Sequence, residues 1–211
     1  MDNTLAAIVF DLYGTLLQVP RITSFSFLKA NIPDEVISLD EWKALLLKRD
    51  YRDIDHLLET IRRSKALPQE LVQQFKAKLQ KELESIRLYE DTQEVLGQLS
   101  KKYPLYLMSN LASCFKQPVY DLGLDVFFKQ IFFSCEVGLA KPDIRFFRLV
   151  SKEIKLPTQR ILMIGDSLTS DYQGANRAGM VSLHLNRGKE LSAQVDQITT
   201  LNDLFDYLRN L

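Results

Sequence analysis

Cysteine is scarce in this sequence of 211 residues, which contains only Cys114 and Cys135. Neither lies in a CxxC pair or beside a histidine, so the sequence lacks the usual ligand spacing of a zinc site and the paired thiols of a redox centre. We therefore expect both thiols to be reduced and to pack in the core.

An excess of charge of one sign is also missing, because 27 Lys and Arg residues are balanced by 27 Asp and Glu residues. A chain without a basic excess has no electrostatic reason to bind nucleic acid or an anionic membrane surface. We expect neither of these as a partner. The balance leaves room for a local basic pocket.

Long hydrophobic runs are absent as well. The apolar run at residues 5–10 is far shorter than the ~20 residues of a membrane span. No basic segment precedes this run, as one would in a secretory signal, and we expect a cytoplasmic protein. The hydrophobic content of 46% excludes a disordered chain and fits one globular domain that carries an insertion.

Short apolar runs without polar alternation are what the sequence does contain. Such runs predict strands that are covered on both faces of a parallel sheet, and they occur at residues 5–10, 105–108, 131–133, 161–164 and 181–185. Helical patterns separate them, which predicts a doubly wound, Rossmann-like α/β fold with a mostly parallel sheet. In such folds ligands bind beyond the carboxyl ends of the strands.

One long stretch, residues 18–88, interrupts this alternation with helical patterns and no convincing strand. We expect an inserted all-helical cap domain at 18–88 and a core domain made of residues 1–17 and 89–211. The insertion begins just after the first strand, where a ligand would bind, so the position favours a lid over the crevice. A bundle that serves only stability is the alternative.

Polar residues follow the predicted strands at their carboxyl ends. Asp11 follows the first strand, Ser109 and Asn110 follow the second, and Asp166 follows the fourth, with Asp171 five residues later. Each has an ordinary structural explanation as a turn or capping residue. Because parallel strands end at one edge, however, we expect them to share a small space.

Lys141, which precedes a Pro–Asp pair, is the cation that we expect beside these carboxylates. Three carboxylates, those of Asp11, Asp166 and Asp171, then face one ammonium group, and such crowding either raises their pKa values or recruits a cation. Oxygen ligands favour Mg²⁺.

These segments resemble the four motifs of the haloacid dehalogenase-like superfamily of hydrolases. Residues 11–16 resemble the first motif, Ser109 the second, Lys141 the third, and Gly165, Asp166, Ser167 and Asp171 the fourth. The insertion at 18–88 lies where this family carries a helical C1 cap. Four motifs in order on predicted strand ends are far more specific than any one of them.

The resemblance implies a reaction in which Asp11 attacks the substrate and forms a covalent aspartyl intermediate. It implies that Ser109 and Lys141 hold the transferred group, with Thr15 and Asn110 as further substrate contacts. In the phosphatases of the family, Mg²⁺ is bound at the positions of Asp11, Asp166 and the Tyr13 carbonyl, with Asp171 nearby. The implied substrate is a small phosphorylated molecule.

Tyr13 departs from the phosphatase pattern, which has a second Asp at this position as the general acid and base. A phenol with a pKa of about 10 is a poor base near neutral pH. Tyrosine here resembles the 2-haloacid dehalogenases of the family, whose halide leaving group needs no proton. Those enzymes use no metal and lack an acid at the position of Asp166.

Two further positions differ from the dehalogenases, which have a Tyr at the position of Phe147 and a Trp–Arg pair near Trp42 and Lys43. We therefore favour an Mg²⁺-dependent phosphatase of a small phosphorylated metabolite. A metal-independent 2-haloacid dehalogenase and a non-catalytic module that binds metal or phosphate are the alternatives. The sequence makes no prediction of the oligomeric state.

Overall fold

The computed structural model describes residues 4–18, 22–64, 67–187 and 195–211. It confirms the doubly wound α/β fold. A parallel sheet of six strands is built from β1 (Ala7–Phe10), β4 (Leu105–Ser109), β5 (Phe128–Phe133), β6 (Ile161–Gly165), β7 (Val181–Leu185) and β8 (Gln197–Ile198). Their spatial order is β5-β4-β1-β6-β7-β8.

The other elements are helices and one short ribbon. The ribbon strands are β2 (Leu17–Gln18) and β3 (Arg87–Leu88). The α-helices are α1 (Ser24–Ala30), α2 (Leu39–Leu47), α3 (Ile54–Ser64), α4 (Gln69–Ser85), α5 (Thr92–Leu99), α6 (Gln117–Asp121), α7 (Ser134–Val137), α8 (Ile144–Glu153), α9 (Gly174–Ala178) and α10 (Leu204–Arg209). A π-helical turn spans Leu168–Gln173, and 3₁₀ turns span Ser113–Phe115, Asp125–Phe127, Thr158–Arg160 and Leu201–Asp203.

Strand β1 lies at the centre of the sheet and pairs in parallel with β4 on one side and β6 on the other. Its four residues are fully buried because both faces are covered. Phe10 packs in the larger hydrophobic cluster, whereas Val9 packs on the opposite face with Phe146 and Phe147 of α8. This two-sided burial explains why the run does not alternate with polar residues.

The strand bounds differ from the predicted ones at the edges. Strand β5 begins at Phe128, three residues earlier than the predicted start, because it is an edge strand whose Lys129 and Gln130 are exposed. The predicted first strand was also too long by two residues, since pairing begins at Ala7. Edge strands carry polar residues, and an apolar run therefore underestimates their length.

Helices α1–α4 lie between the two strands of the ribbon. Leu17 pairs with Leu88 and Gln18 with Arg87 in antiparallel register, so the chain leaves and returns at one place. The expectation of no strand between 18 and 88 was wrong at these two ends, where two-residue strands are too short to show a pattern. We call residues 24–85 the helical insertion.

An aromatic group forms the centre of the helical insertion. Phe25 of α1 lies 5.4 Å from Phe75 of α4 and 6.4 Å from Trp42 of α2, measured between ring centroids. Leu57 and Ile61 of α3 belong to the same cluster, so the apolar stripes of α3 and α4 share one core, as expected. Within the described part of the chain, no helix is long and apolar enough to cross a membrane.

Glu82 of α4 fastens the start of α1. Its Oε1 accepts hydrogen bonds from the backbone N–H groups of Thr23 (2.6 Å) and Ser24 (2.8 Å), and its Oε2 accepts one from the Ser24 hydroxyl (2.5 Å). Burial opposes ionisation of Glu82, but the hydrogen bonds from Ser24 and Thr23 outweigh it and hold its pKa below the usual value. The carboxylate thus satisfies backbone donors that a helix leaves unpaired.

Replacing Glu82 by Gln should lower the free energy of unfolding by about 1–3 kcal/mol, because a hydrogen-bonded charge is lost. An acid whose pKa is lowered on folding stabilises above its unfolded pKa of about 4.3, and loses this effect as the pH falls through its folded pKa. Urea unfolding should therefore show a difference at pH 7 that shrinks toward pH 3.

The matched control is Glu84→Gln, an exposed carboxylate on the same helix. It should change the stability by less than about 0.5 kcal/mol. An equal effect of the two variants at pH 7 would contradict the capping role of Glu82.

Candidate active site

The carboxyl edge of the sheet brings together the residues that the sequence placed at strand ends. Asp11 follows β1, Ser109 ends β4, and Asp166 follows β6. Ser109 and Asp11 are buried, whereas Asp166 has an exposed face. The strand order changes direction on the two sides of β1, which is the point where doubly wound sheets form a binding crevice.

Lys141 lies at the centre of this edge, in the loop between α7 and α8. Its Nζ is 2.6 Å from Asp11 Oδ1 and 2.6 Å from Asp171 Oδ1, and it donates to the Met108 carbonyl at 2.8 Å. Burial alone would lower the pKa of the Lys141 ammonium, but the Asp11 and Asp171 charges outweigh it and raise that pKa. Lys141 is therefore a fixed buried cation.

Asn110 holds the backbone of Lys141. Its Nδ2 donates to the Lys141 carbonyl at 2.7 Å, and its Oδ1 accepts from the Lys141 N–H at 2.8 Å. Both ends of the amide are thus used within the protein. These bonds position Lys141, and the expected contact of Asn110 with substrate stays a prediction.

Thr15 links two of the acidic residues. Its hydroxyl donates to Asp11 Oδ2 at 3.3 Å and accepts from the Asp166 N–H at 3.1 Å. The Thr15 side chain is fully buried. Thr15 therefore fixes Asp11, the candidate nucleophile, relative to the loop after β6. The expected contact of Thr15 with substrate stays a prediction.

The three carboxylates form one cluster. Asp11, Asp166 and Asp171 each offer an oxygen, and these oxygens lie within 4.8 Å of one another. Burial raises the pKa of Asp11 to about 6, against the lowering effect of Lys141. Partial burial, together with the Asp11 charge, also raises the pKa of Asp166 to about 6.

Two glycines make this crowding possible. Gly14 has a φ of +87°, and a Cβ there would collide with the Asp166 carboxylate. A Cβ at Gly165 would collide with the Asp171 carboxylate in the same way. Both positions therefore require glycine so that backbone and carboxylate can approach closely.

The Tyr13 hydroxyl is engaged in a hydrogen bond within the protein. The hydroxyl donates to the Phe115 carbonyl at 2.9 Å, and the two rings meet edge to face with centroids 5.7 Å apart. Burial, with smaller effects from Cys114 and Asp11, raises the pKa of Tyr13 well above its usual value. Its phenol is therefore a poorer acid than the sequence alone suggests.

His184 is a neighbour of the acidic cluster that the sequence analysis did not identify. It lies on β7 opposite Gly165 in the parallel register. Its Nε2 lies 2.9 Å from the Asp166 carbonyl oxygen, and a ring N–H at that position donates to it. The sequence feature that could have identified His184 is its place in the next predicted strand after Asp166, since adjacent parallel strands bring neighbouring strand ends together.

This arrangement suits a divalent cation and an anionic substrate. Three close carboxylates repel one another, the pKa values of Asp11 and Asp166 are raised, and a cation relieves that repulsion. Their oxygens are the ligands that Mg²⁺ prefers, and Asp166 is open to solvent on one side. The buried ammonium of Lys141 already has three acceptors, and its fixed positive charge can stabilise negative charge on a nearby phosphoryl or carboxylate group.

Comparison with known proteins matches most of this chain to one family. A family model described as haloacid dehalogenase-like hydrolase matches residues 5–179. A glyceraldehyde 3-phosphate phosphatase of Methanopyrus kandleri is 37% identical over 68 residues, which are 32% of this chain and 29% of that protein. The chain spans less than half the length of the first curated relatives that it matches.

Solved structures share the fold over nearly the whole chain. An HAD phosphatase from Thermococcus onnurineus has a TM-score of 0.65 at 21% identity, over 97% of this chain and 98% of that one. A 2-haloacid dehalogenase from Pseudomonas syringae pv. Tomato has a TM-score of 0.64 at 19% identity, over 98% and 99%. At these identities the likeness shows the fold alone, and it is equally close for both activities.

Replacing Lys141 by Met should lower the free energy of unfolding at pH 8 by about 3–5 kcal/mol, because two buried carboxylates lose their cation. Without the cation, the pKa of Asp11 should rise further above its unfolded value. Such an acid stabilises the fold when protonated, so the variant should regain stability as the pH falls to 5.5. Urea unfolding at both pH values measures this.

Lys116→Met is the control, since Lys116 pairs with Asp50 and Glu136 at the surface. Its loss should stay within about 1 kcal/mol at both pH values. A Lys141→Met defect that does not change with pH would show that the carboxylates do not cause it.

Proposed function

Since the chain belongs to the haloacid dehalogenase-like hydrolase family, we propose that it is an Mg²⁺-dependent phosphatase of a small phosphorylated metabolite. The family match confirms the resemblance seen in the four motifs. The observation that carries the proposal is the cluster of Asp11, Asp166 and Asp171 around buried Lys141. Such a site combines a nucleophile, a fixed cation and hard oxygen ligands.

In the proposed reaction, a carboxylate oxygen of Asp11 attacks phosphorus and forms an aspartyl phosphate, while the bond to the leaving oxygen breaks. Water then hydrolyses the aspartyl phosphate, which releases orthophosphate and restores Asp11. Lys141 and Ser109 hold the phosphoryl oxygens, and Lys141 keeps Asp11 ionised and in place.

Mg²⁺ would be held by Asp11, Asp166 and the Tyr13 carbonyl. Asp171 would lie nearby, where its carboxylate contacts Lys141 and accepts a hydrogen bond from the Ser167 N–H. When bound, the metal neutralises phosphoryl charge. Thr15 orients both Asp11 and the Asp166 backbone. We assign Asn110 to the support of Lys141 on the basis of its two hydrogen bonds.

The dehalogenase alternative has weaker support. Phe147, the position of a dehalogenase tyrosine, is fully buried and packs near Gly174 of α9. Trp42 is buried against Phe25 in the helical insertion. Both aromatic residues serve packing, and the acidic Asp166 has no use in a reaction without a metal.

The hydrogen bond of the Tyr13 hydroxyl favours substrates with a good leaving group. Its hydroxyl is bonded to the Phe115 carbonyl, so it is not free to protonate a departing oxygen. Acyl phosphates and sugar 1-phosphates release anions that need less help from an acid. We propose this class of substrate. The matched relatives include a glyceraldehyde 3-phosphate phosphatase and a pyrimidine 5'-nucleotidase, and these names support a small phosphorylated substrate in general.

Residues 18–88 are proposed as a cap domain that sets specificity, and residues 1–17 and 89–211 as the core. The ribbon of β2 and β3 supports this division because it joins the insertion to the core at one place. A cytoplasmic location also stays a prediction.

Replacing Asp11 by Asn should reduce phosphate release by a factor of roughly 10³ or more, because the shape is kept and the nucleophilic charge is lost. The assay measures phosphate release from a panel of phosphorylated metabolites, with Mg²⁺ and with a chelator. Wild type should be active only with Mg²⁺.

Asp206→Asn, which changes an exposed carboxylate paired with Arg209, should keep full activity. Retained turnover in Asp11→Asn would refute the role of Asp11. Halide release from 2-haloacids that resists the chelator would favour the dehalogenase, and silence in both assays, with phosphate still stabilising the fold, would favour the binding module.

Replacing Tyr13 by Phe should leave the ratio of kcat/KM for acetyl phosphate to that for glycerol phosphate unchanged, because the hydroxyl does not serve as an acid. Replacing it by Asp should raise kcat/KM for glycerol phosphate by about 10²–10⁴ and change acetyl phosphate little. A selective loss of glycerol phosphate hydrolysis in Tyr13→Phe would show instead that the phenol is the acid.

A further inference from the structure

Arg187 follows β7 and reaches the turn that carries Asp11. Its Nη2 donates to the Thr15 carbonyl at 2.9 Å. The same guanidinium makes a two-pronged ion pair with Asp91, with Nη2–Oδ1 at 2.9 Å and Nη1–Oδ2 at 3.1 Å. Both side chains are largely buried, with 19% of Arg187 and 10% of Asp91 exposed.

The segment after β3 completes the surroundings of Arg187. The guanidinium carbon lies 3.8 Å from the centroid of the Tyr89 ring, a stacking distance. Asp91 also accepts from the Leu201 N–H at 2.8 Å. Arg187 is therefore fixed on several sides, and its contacts involve the segment through which the chain returns from the helical insertion.

That return segment is itself bonded to the turn after Asp11. The Tyr89 N–H and the Thr92 hydroxyl both donate to the Leu16 carbonyl, at 3.1 and 2.9 Å. Arg187 donates to the neighbouring carbonyl, that of Thr15. Two successive carbonyls of the turn are thus held by groups outside it.

Thr15 is the residue through which this restraint reaches the site. Its carbonyl accepts from Arg187, and its hydroxyl lies between Asp11 Oδ2 and the Asp166 N–H. The carbonyl group and the side chain of Thr15 are attached to the same Cα, so a restraint on the carbonyl also limits the position of the side chain. A misplacement of reacting groups by about 1 Å can cost about 10² in rate.

We propose that Arg187, fixed by Asp91, is a positioning residue that holds Thr15 so that the nucleophile Asp11 and the Asp166 loop keep their relative position. This inference rests on the proposed phosphatase function. Arginine suits the task because its planar fork serves two acceptors and stacks on Tyr89 at once. A lysine could keep the charge but not this geometry.

Replacing Arg187 by Met should lower kcat for p-nitrophenyl phosphate about 10- to 100-fold and change KM less than about threefold, well below the unfolding temperature. Arg187→Lys should restore part of kcat. The matched control is Arg160→Met, because Arg160 also donates to a backbone carbonyl, that of Thr4, but before β6 at the opposite edge of the sheet.

A second comparison asks whether Arg187 acts through Thr15. In a Thr15→Val background, which removes the hydroxyl, Arg187→Met should reduce kcat less than about threefold further, because the two changes break one linkage. Asp91→Asn should likewise be non-additive with Arg187→Met. Fully multiplicative losses would overturn the inference.

Hydrogen exchange gives a readout that needs no activity. In Arg187→Met, amide exchange should speed up at least fivefold in peptides covering 11–18 and 162–168, and Arg160→Met should leave both peptides unchanged. Unchanged exchange in Arg187→Met would overturn the inference even if turnover falls. Accelerated exchange in a protein whose wild type releases no phosphate would instead refute the proposed function and leave the Arg187 restraint standing.

Discussion

The buried contact of Lys141 with Asp11 and Asp171 is the constraint on which the rest of the site depends. Two carboxylates with this little exposure stay in the fold because one ammonium group lies 2.6 Å from an oxygen of each. The carboxyl edge of the parallel sheet brings these groups together, and Gly14 and Gly165 leave the space for them. Asn110 then fixes the Lys141 backbone. A fixed cation of this kind needs no reorganisation when charge develops nearby.

The helical insertion is joined to this site by short and specific connections. The ribbon of β2 and β3 carries the chain out and back, and the return segment bonds to the turn after Asp11. Arg187, which follows β7, adds a restraint on Thr15. A change in the position of the insertion would therefore act on the turn that carries Asp11, and under the proposed function this would link substrate access to the geometry of attack.

Tyr13 has a packing role at the junction of the core and the helical insertion. Its ring and hydroxyl pack on Phe115, which in turn lies 6.1 Å from Phe25 of the helical insertion. The side chain thus stabilises contact between core and insertion at a position where the family's phosphatases hold an acid. Under the proposed function, a site built in this way would favour leaving groups that depart as stable anions.

The sequence by itself determined the α/β fold, the helical insertion and the placement of Asp11, Ser109 and Asp166 at strand ends. These follow from local patterns, because burial on both faces and helical periodicity are recorded in neighbouring residues. Only the tertiary structure decided that Asn110 serves Lys141, that His184 bonds to the Asp166 carbonyl and that Arg187 holds Thr15. Such partners lie far apart in the chain, 172 residues in the case of Arg187 and Thr15. Their contact depends on strand order and on the packing of separate segments, which no local pattern records.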